Sequence, residues 1–426
     1  MSVATPLPAR QKRVLIASAI GNFIEWYEFA VYGFMATLIA QHFFQLKDTS
    51  GLTSLILTYA AFAVAFFFRP LGALLFGRLG DRYGRKPTLI AVVLMMTLST
   101  VAIGLVPTYA AIDVAAPLLV TALRILQGLF AGGEYGGAVS LMTESAPPGK
   151  RGLYGAWQSL TVALGLLAGV AVVAALPLLI GESAMNDWGW RVPFLLALPM
   201  GIVALWLRSG LEESSQFRQA KDNQQTTAST GATLRAILLG IARLMVWSAA
   251  GYTYLVIMPT YLQAALHTAF NQALIIAVVS NLGFAVTILP AGILSDRFGR
   301  RPLMLLATLL LLVLAFPLLK ILQDPASTLW VKTLAVFVAG ALVGILAGPG
   351  PAMLAEMFPT HVRYTGLGLA YSLSNAVFSG GAGLIITGLM RQTGNLDIPA
   401  WYVAGTALVS FFALLTLGKN DHQKPL

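Results

Sequence analysis

Charge is scarce in this chain: Asp, Glu, Lys and Arg make up 10% of 426 residues, against about 25% in soluble domains. Cysteine is absent, which excludes disulfides and thiolate metal sites. The four histidines, His42, His267, His361 and His422, are scattered near segment ends, so no histidine metal cluster is indicated. No GxxxxGK[ST] stretch offers a nucleotide site to a pump, and no GxSxG or HExxH offers a nucleophile or zinc to a membrane enzyme. We therefore expect no enzyme, no cofactor and no metal. The net charge of +10 resides in short loops between apolar runs, a pattern that serves membrane orientation and not nucleic-acid binding.

Hydrophobic residues are abundant, at 57%, with a mean hydropathy of +0.78. Apolar segments of bilayer-spanning length recur at short intervals. They predict an all-α membrane protein of twelve transmembrane helices near 14–38, 54–80, 88–107, 114–144, 153–180, 190–208, 236–265, 271–295, 303–322, 330–357, 363–391 and 398–418. The first is too long for a signal-peptide core and carries two acids, so it reads as a retained span. One long polar stretch, rich in Ser, Thr and Gln, divides the chain into a six-helix bundle over 1–208, a linker over 209–235 and a second bundle over 236–426. On this assignment 19 of 27 Lys and Arg fall on one side and five on the other. The positive-inside rule then places both termini and the linker in the cytoplasm.

The two halves echo each other. GRLGDRYGRKP (Gly77 to Pro87) returns as GILSDRFGRRP (Gly292 to Pro302), 215 residues later; ESAPPGKRGLYGAW after Glu144 returns as EMFPTHVRYTGLGLAYS after Glu356, 212 residues later. Two echoes in the same order argue for two parallel-repeat six-helix bundles. An acid beside arginines, a Gly turn and a helix-starting Pro suit a latch whose ion pairs form and break as the halves rock. The latch candidates are Asp81, Arg82, Arg85, Lys86, Arg151, Asp296, Arg297, Arg300, Arg301 and Arg363.

These loops resemble the signature of the major facilitator superfamily. NFIEWYEFAVYGF, FFFRPLGALLFGRLGDRYGRK, LRILQGLFAGGEYGGA, DWGWRVPF and AEMFPTHVRYTGLGLAYS resemble its metabolite:proton symporter branch, which includes bacterial carriers for citrate, α-ketoglutarate, shikimate and proline/betaine. The resemblance spans nearly the whole chain. It implies two bundles around a central cavity, alternating access, uptake driven by protons, and a place in the bacterial inner membrane. That family usually shows Asp where this chain has Glu28.

Intramembrane charges carry the specificity, because a charge at a helix centre costs about 2.5–3.5 kcal/mol and so faces a partner or a cavity. Glu25 and Glu28, at i and i+3, lie about 60° apart on one face and suit proton coupling, or an ion pair with an arginine. On the fourth helix Arg124, Gln127, Ala131 and Glu134 form one stripe. Arg124 is the candidate clamp for a substrate carboxylate, or else the partner of Glu134 or Glu25. Glu134 is a third proton-path candidate. Arg69 precedes Pro70 and suits a structural or gating role by answering the carbonyl that the proline frees; Arg243 suits snorkelling. Trp157, Gln158, Tyr252, Tyr254, Asn281, Tyr371, Ser374 and Asn375 are candidate lining residues, and Gly340, Gly344 and Gly348 pack helices.

The expectation is a monomeric secondary transporter that moves a small organic metabolite with protons across the lipid bilayer. A carboxylate is the first choice: Arg124 is the residue of the citrate- and α-ketoglutarate-type relatives, where the proline/betaine type carries lysine, and WQS (Trp157 to Ser159) resembles the citrate type. MPTYL and SDRFGRRP are as similar to the betaine type, so a proline/betaine-type zwitterion symporter is the alternative, beside a proton-driven exporter. A sensor without transport lacks an appended signalling domain.

Overall fold

The computed structural model describes residues 9–45, 51–210 and 230–423; most of the expected linker, 211–229, and both chain ends lie outside them. Twelve long helices follow in order: α1 (Ala9–Phe34), α2 (Gly51–Tyr83), α3 (Arg85–Leu105), α4 (Ala115–Glu144), α5 (Arg151–Ile180), α6 (Ala197–Ser209), α7 (Thr230–Tyr252), α8 (Phe270–Phe298), α9 (Arg300–Gln323), α10 (Leu329–Ala347), α11 (Arg363–Asn375) and α12 (Ile398–Leu415). No strand occurs among the described residues. Eleven spans are long and apolar enough to cross a membrane. The twelfth, α1, is about 39 Å long at 1.5 Å per residue, and Asn22, Glu25 and Glu28 lower its hydropathy. Three boundaries need correction: α1 begins at Ala9 and not 14, α10 stops at Ala347, with a separate short helix Gly350–Ala355 following in the rest of the expected span, and α7 begins at Thr230 and not 236. Extending a formed helix over TGATLR adds a hydrogen bond per residue fixed, so Gly and Thr there do not stop it.

The repeat seen in sequence reappears as packing. In the first half α1 lies on α5, α2 on α4 and α3 on α6; in the second α7 lies on α11, α8 on α10 and α9 on α12, while α5–α8 and α2–α11 join the halves. Lipid is as apolar as leucine, so van der Waals contact between closely approaching backbones must hold such pairs together. Gly128 and Gly132 let α4 reach α2, where a Cβ would overlap the Ala65 and Arg69 carbonyl oxygens; Gly340 and Gly344, 212 residues later, do the same for α10 against Ser280 and Phe284 of α8. The turns α2–α3 and α8–α9 also match: Gly84 and Gly299 sit at φ 122° and 91°, where side chains are strained. α7 and α11 each continue through a π-helical segment, Thr253–Ile257 and Ala376–Gly380, before resuming as Met258–Leu266 and Ala382–Thr393. Such segments are frequent at functional sites.

Candidate functional site

A cluster of charge is buried where α1, α2 and α4 meet. Arg69 on α2 pairs with Glu25 at 2.8 Å and lies over Phe29 and Phe66, 4.3 and 4.4 Å from their centroids. Among the described residues it does not answer the carbonyl released by Pro70, because a buried guanidinium gains more from a carboxylate than from a carbonyl. Glu28 is 1% exposed; its carboxylate lies beside the Thr100 hydroxyl and makes no ion pair among the described residues. Arg124 pairs with neither Glu25 nor Glu134. Its Nη1 donates to Gln127 Oε1 at 2.7 Å, and Gln127 Nε2 donates to Thr100 Oγ1 at 2.6 Å. Nε and Nη2 of Arg124 remain unpartnered among the described residues, while Tyr32, Phe29 and Phe62 surround the guanidinium at 4.3, 4.7 and 5.2 Å. Desolvated cation–π contacts of about 2 kcal/mol each offset much of the burial cost.

Two cavities lie between the halves. The larger, 400 Å³, is reached from the end carrying Gly394 and Leu396 and runs inward past Tyr59 and Thr260 to Phe62, Tyr252 and Ser379. Tyr59 and Thr260 bridge the halves by a hydroxyl–hydroxyl bond of 2.8 Å. The smaller, 30 Å³, is central and includes Trp26, Trp247, Tyr252, Tyr371, Asn375 and Ser379 in its wall. Phe62 thus separates the open cavity from Arg124, which lines neither. Below, Tyr135 and Tyr371 stack across the halves with centroids 3.4 Å apart.

Of the expected lining residues, Tyr252, Tyr371 and Asn375 face these cavities, and Ser374 bonds Ser248 of the smaller one at 3.0 Å. Four others lie elsewhere. Trp157 packs beside Leu15, Ala19, Met142 and Tyr154, nearer the latch end. Gln158 ties α5 to Asn22 of α1. Asn281 donates to the Leu255 carbonyl at 3.2 Å, and Tyr254 lines neither cavity. A polar residue in a span needs only a partner, and a neighbouring helix backbone provides one as well as a cavity does. Glu134 is locked: Arg208, at the end of α6, grips both its oxygens and also donates to the Leu89 and Ala17 carbonyls. Gly21 leaves room for that guanidinium.

The opposite end of the molecule is closed by two equivalent networks. Asp81 Oδ2 accepts from Thr365 N at 3.2 Å and Oγ1 at 2.7 Å, capping the first turn of α11 in the other half. Asp296 accepts from Gly152 N at 2.7 Å and Leu153 N at 2.9 Å, capping α5. Each acid thus satisfies orphan amides of the partner half's fifth helix, where the dipole favours negative charge. Arg85 pairs with Glu144, which accepts from Arg363 across the halves at 2.8 Å; Arg300 pairs with Asp296 at 2.7 Å and Glu356 at 2.9 Å, and Arg151 approaches Glu356 at 3.6 Å. Arg82 and Arg297 point outward over Tyr83 and Phe298, Lys86 donates to the Ser209 carbonyl of its own half, and Arg301 makes no ion pair among the described residues.

A family model described as Sugar (and other) transporter matches residues 14–235, and one described as Major Facilitator Superfamily matches 236–426. The chain belongs to the major facilitator superfamily. A glycine betaine/proline/ectoine/pipecolic acid transporter of Dickeya dadantii is 35% identical, over 98% of this chain and 85% of its own length. A proline/betaine transporter of Escherichia coli is also 35% identical, with coverage of 97% and 85%. An inner membrane metabolite transport protein of Escherichia coli, YhjE, is 36% identical, with 98% and 96% covered. In fold, the proton:xylose symporter XylE superposes with a TM-score of 0.84 over 97% of each chain, at 17% identity. As a member of this superfamily the chain is an integral membrane protein and a secondary transporter, not an enzyme.

Sequence reasoning missed Glu144, Glu356 and Arg208 as partners, and Trp26, Phe62, Trp247 and Ser379 as wall. The two glutamates were within reach, since each heads the second echo at the same offset. The aromatics were not, because a ring in a span reads as packing until its neighbours are known.

Proposed function

We propose that this transporter takes up a small zwitterion carrying one carboxylate and a substituted ammonium, of the proline and betaine class, in symport with protons across a bacterial inner membrane. The observation that carries the reading is Arg124: one buried guanidinium with two donors unpartnered among the described residues, surrounded by the rings of Tyr32, Phe29 and Phe62. One free fork matches one carboxylate, and the faces of Trp26, Phe62 and Tyr252 suit an alkylated ammonium, which rings attract without hydrogen bonds. A tricarboxylate such as citrate needs further cations, and Arg69 is already committed to Glu25. This favours the zwitterion over the carboxylate first expected, as do relatives that carry proline and betaine in their names.

For protons, Glu28 is the candidate. It can bind and release one without breaking an ion pair, whereas Glu25 must part from Arg69 and Glu134 from Arg208. In the cycle, the solute enters the open cavity, displaces the Phe62 ring and docks its carboxylate on Arg124 while Glu28 takes a proton. The neutralised site then lets the halves rock and the latch part. With the latch in the cytoplasm, both termini are cytoplasmic. Uptake into proteoliposomes of proline, glycine betaine, ectoine, citrate, α-ketoglutarate and shikimate, with and without an inward proton gradient, tests this. Accumulation of a zwitterion only with the gradient, lost in Arg124→Ala, is expected; transport of citrate in preference to every zwitterion refutes it.

A further inference from the structure

The large cavity has an apolar and aromatic wall with one charged residue among those described, Arg391. It stands in the last turn of Ala382–Thr393 at the cavity mouth, exposed and without an ion pair or hydrogen bond among the described residues. A nearby acid does not cancel it. Asp397, just past the wall residue Leu396, is held through both oxygens by Lys320 at 2.8 Å and by Gln323 at 3.0 Å. Among the described residues the mouth therefore carries a positive charge with no acid paired to it, above low-dielectric walls that focus its field into the passage.

We propose that Arg391 is a charge filter at the entrance, a specificity-determining residue distinct from the central site, which admits solutes bearing a carboxylate and turns away cations. A solute with an ammonium alone and one with an ammonium plus a carboxylate present the same cationic head to the rings inside. They differ at the mouth: the first is repelled, while the second turns its carboxylate toward the guanidinium and enters carboxylate first, the orientation in which Arg124 meets it. Helix-dipole stabilisation would account for an arginine in a last turn, but not for its standing in the cavity wall with no acid paired to it among the described residues.

The absence of cysteine permits a direct test. Thr387 is exposed, lines the same cavity and precedes Arg391 by one turn, so Thr387→Cys supplies a lone thiol on the same helix face. Its reaction rates with the anionic sulfonatoethyl and cationic trimethylammonioethyl methanethiosulfonates are measured in detergent at low and high salt. Taking their ratio cancels changes in thiol ionisation. At low salt the anionic-to-cationic ratio should fall about five- to tenfold in Arg391→Gln, fall further in Arg391→Glu, and persist in Arg391→Lys. The differences should vanish near 1 M salt, where the Debye length is about 3 Å. In proteoliposomes Arg391→Glu should raise KM with kcat unchanged and make choline a stronger inhibitor. A rate ratio unchanged in both Arg391→Gln and Arg391→Glu overturns the filter. Because that ratio involves no transported solute, it separates failure of the filter from failure of the zwitterion reading.

Discussion

Removing the charge of Glu144 should open the closed end of the transporter. Its carboxylate is buried and shared: one oxygen pairs with Arg85 in its own half, the other accepts from Arg363 in the other. Only the second bond distinguishes closed from open, since Arg85 travels with Glu144. In Glu144→Gln a hydrogen bond between charged groups, contributing about 1.5–3 kcal/mol, becomes one with a neutral acceptor, contributing about 0.5–1.5 kcal/mol. Arg363, when exposed to water, loses little in the open state. The closed state thus loses about 1.2 kcal/mol relative to the open one, a shift of roughly 8-fold in their ratio. Spin labels at Lys150→Cys and Arg297→Cys, exposed and in opposite halves, report the separation by double electron–electron resonance. Expected is a longer-distance population absent from the parent. If the distances stay the same while the thermal midpoint falls, Glu144 merely braces α3 against α4, and the latch argument is refuted.

Glu28→Gln should abolish gradient-driven accumulation while leaving solute counterflow intact, whereas Glu25→Gln, by stranding Arg69, should impair both; accumulation that survives in Glu28→Gln contradicts the proton assignment. Arg208→Met leaves Glu134 buried and unpaired at a cost of about 3–5 kcal/mol, and Glu134→Leu added to it should restore most of the lost thermal midpoint; a double variant no better than the single one argues against the pairing. Burial, with Arg191 nearby, holds the imidazole of His42 below the ordinary histidine range, against the opposing effects of a backbone bond to Asn186 and of Asp187. The unfolded chain then binds the proton more readily, so the stability contributed by the His42–Trp190 stack is present above about pH 6.5 and declines as pH falls. Thermal unfolding of His42→Phe across pH 5–8 should show a shallower decline than the parent, and an equal slope speaks against it.

Much of the molecule was legible because the bilayer restricts the chain so severely. A span must satisfy its own backbone, so apolar length alone marks helices, and the span boundaries read from hydropathy agree with the structure to within about one turn, apart from the early starts of α1 and α7. The duplicated loops marked where charge gathers, because charge in a short loop between spans has few other uses, and Asp81, Arg85, Asp296, Arg300 and Arg363 all make contacts at that end. Pairing within the membrane was not legible. Glu25, Glu28, Glu134, Arg69 and Arg124 were all identifiable as costly, yet α1, α2 and α4 bring together residues up to 109 positions apart, and a shift of one position along a helix turns a side chain through about 100°. By itself the sequence determined which residues are too polar for lipid and that there are two copies of one six-helix plan. Only the tertiary structure decided that Arg69 takes Glu25 and Arg208 takes Glu134, which leaves Glu28 and Arg124, of these five and among the described residues, without an ion pair. The reason is physical: helix periodicity fixes the face a side chain occupies, whereas helix packing fixes what that face meets.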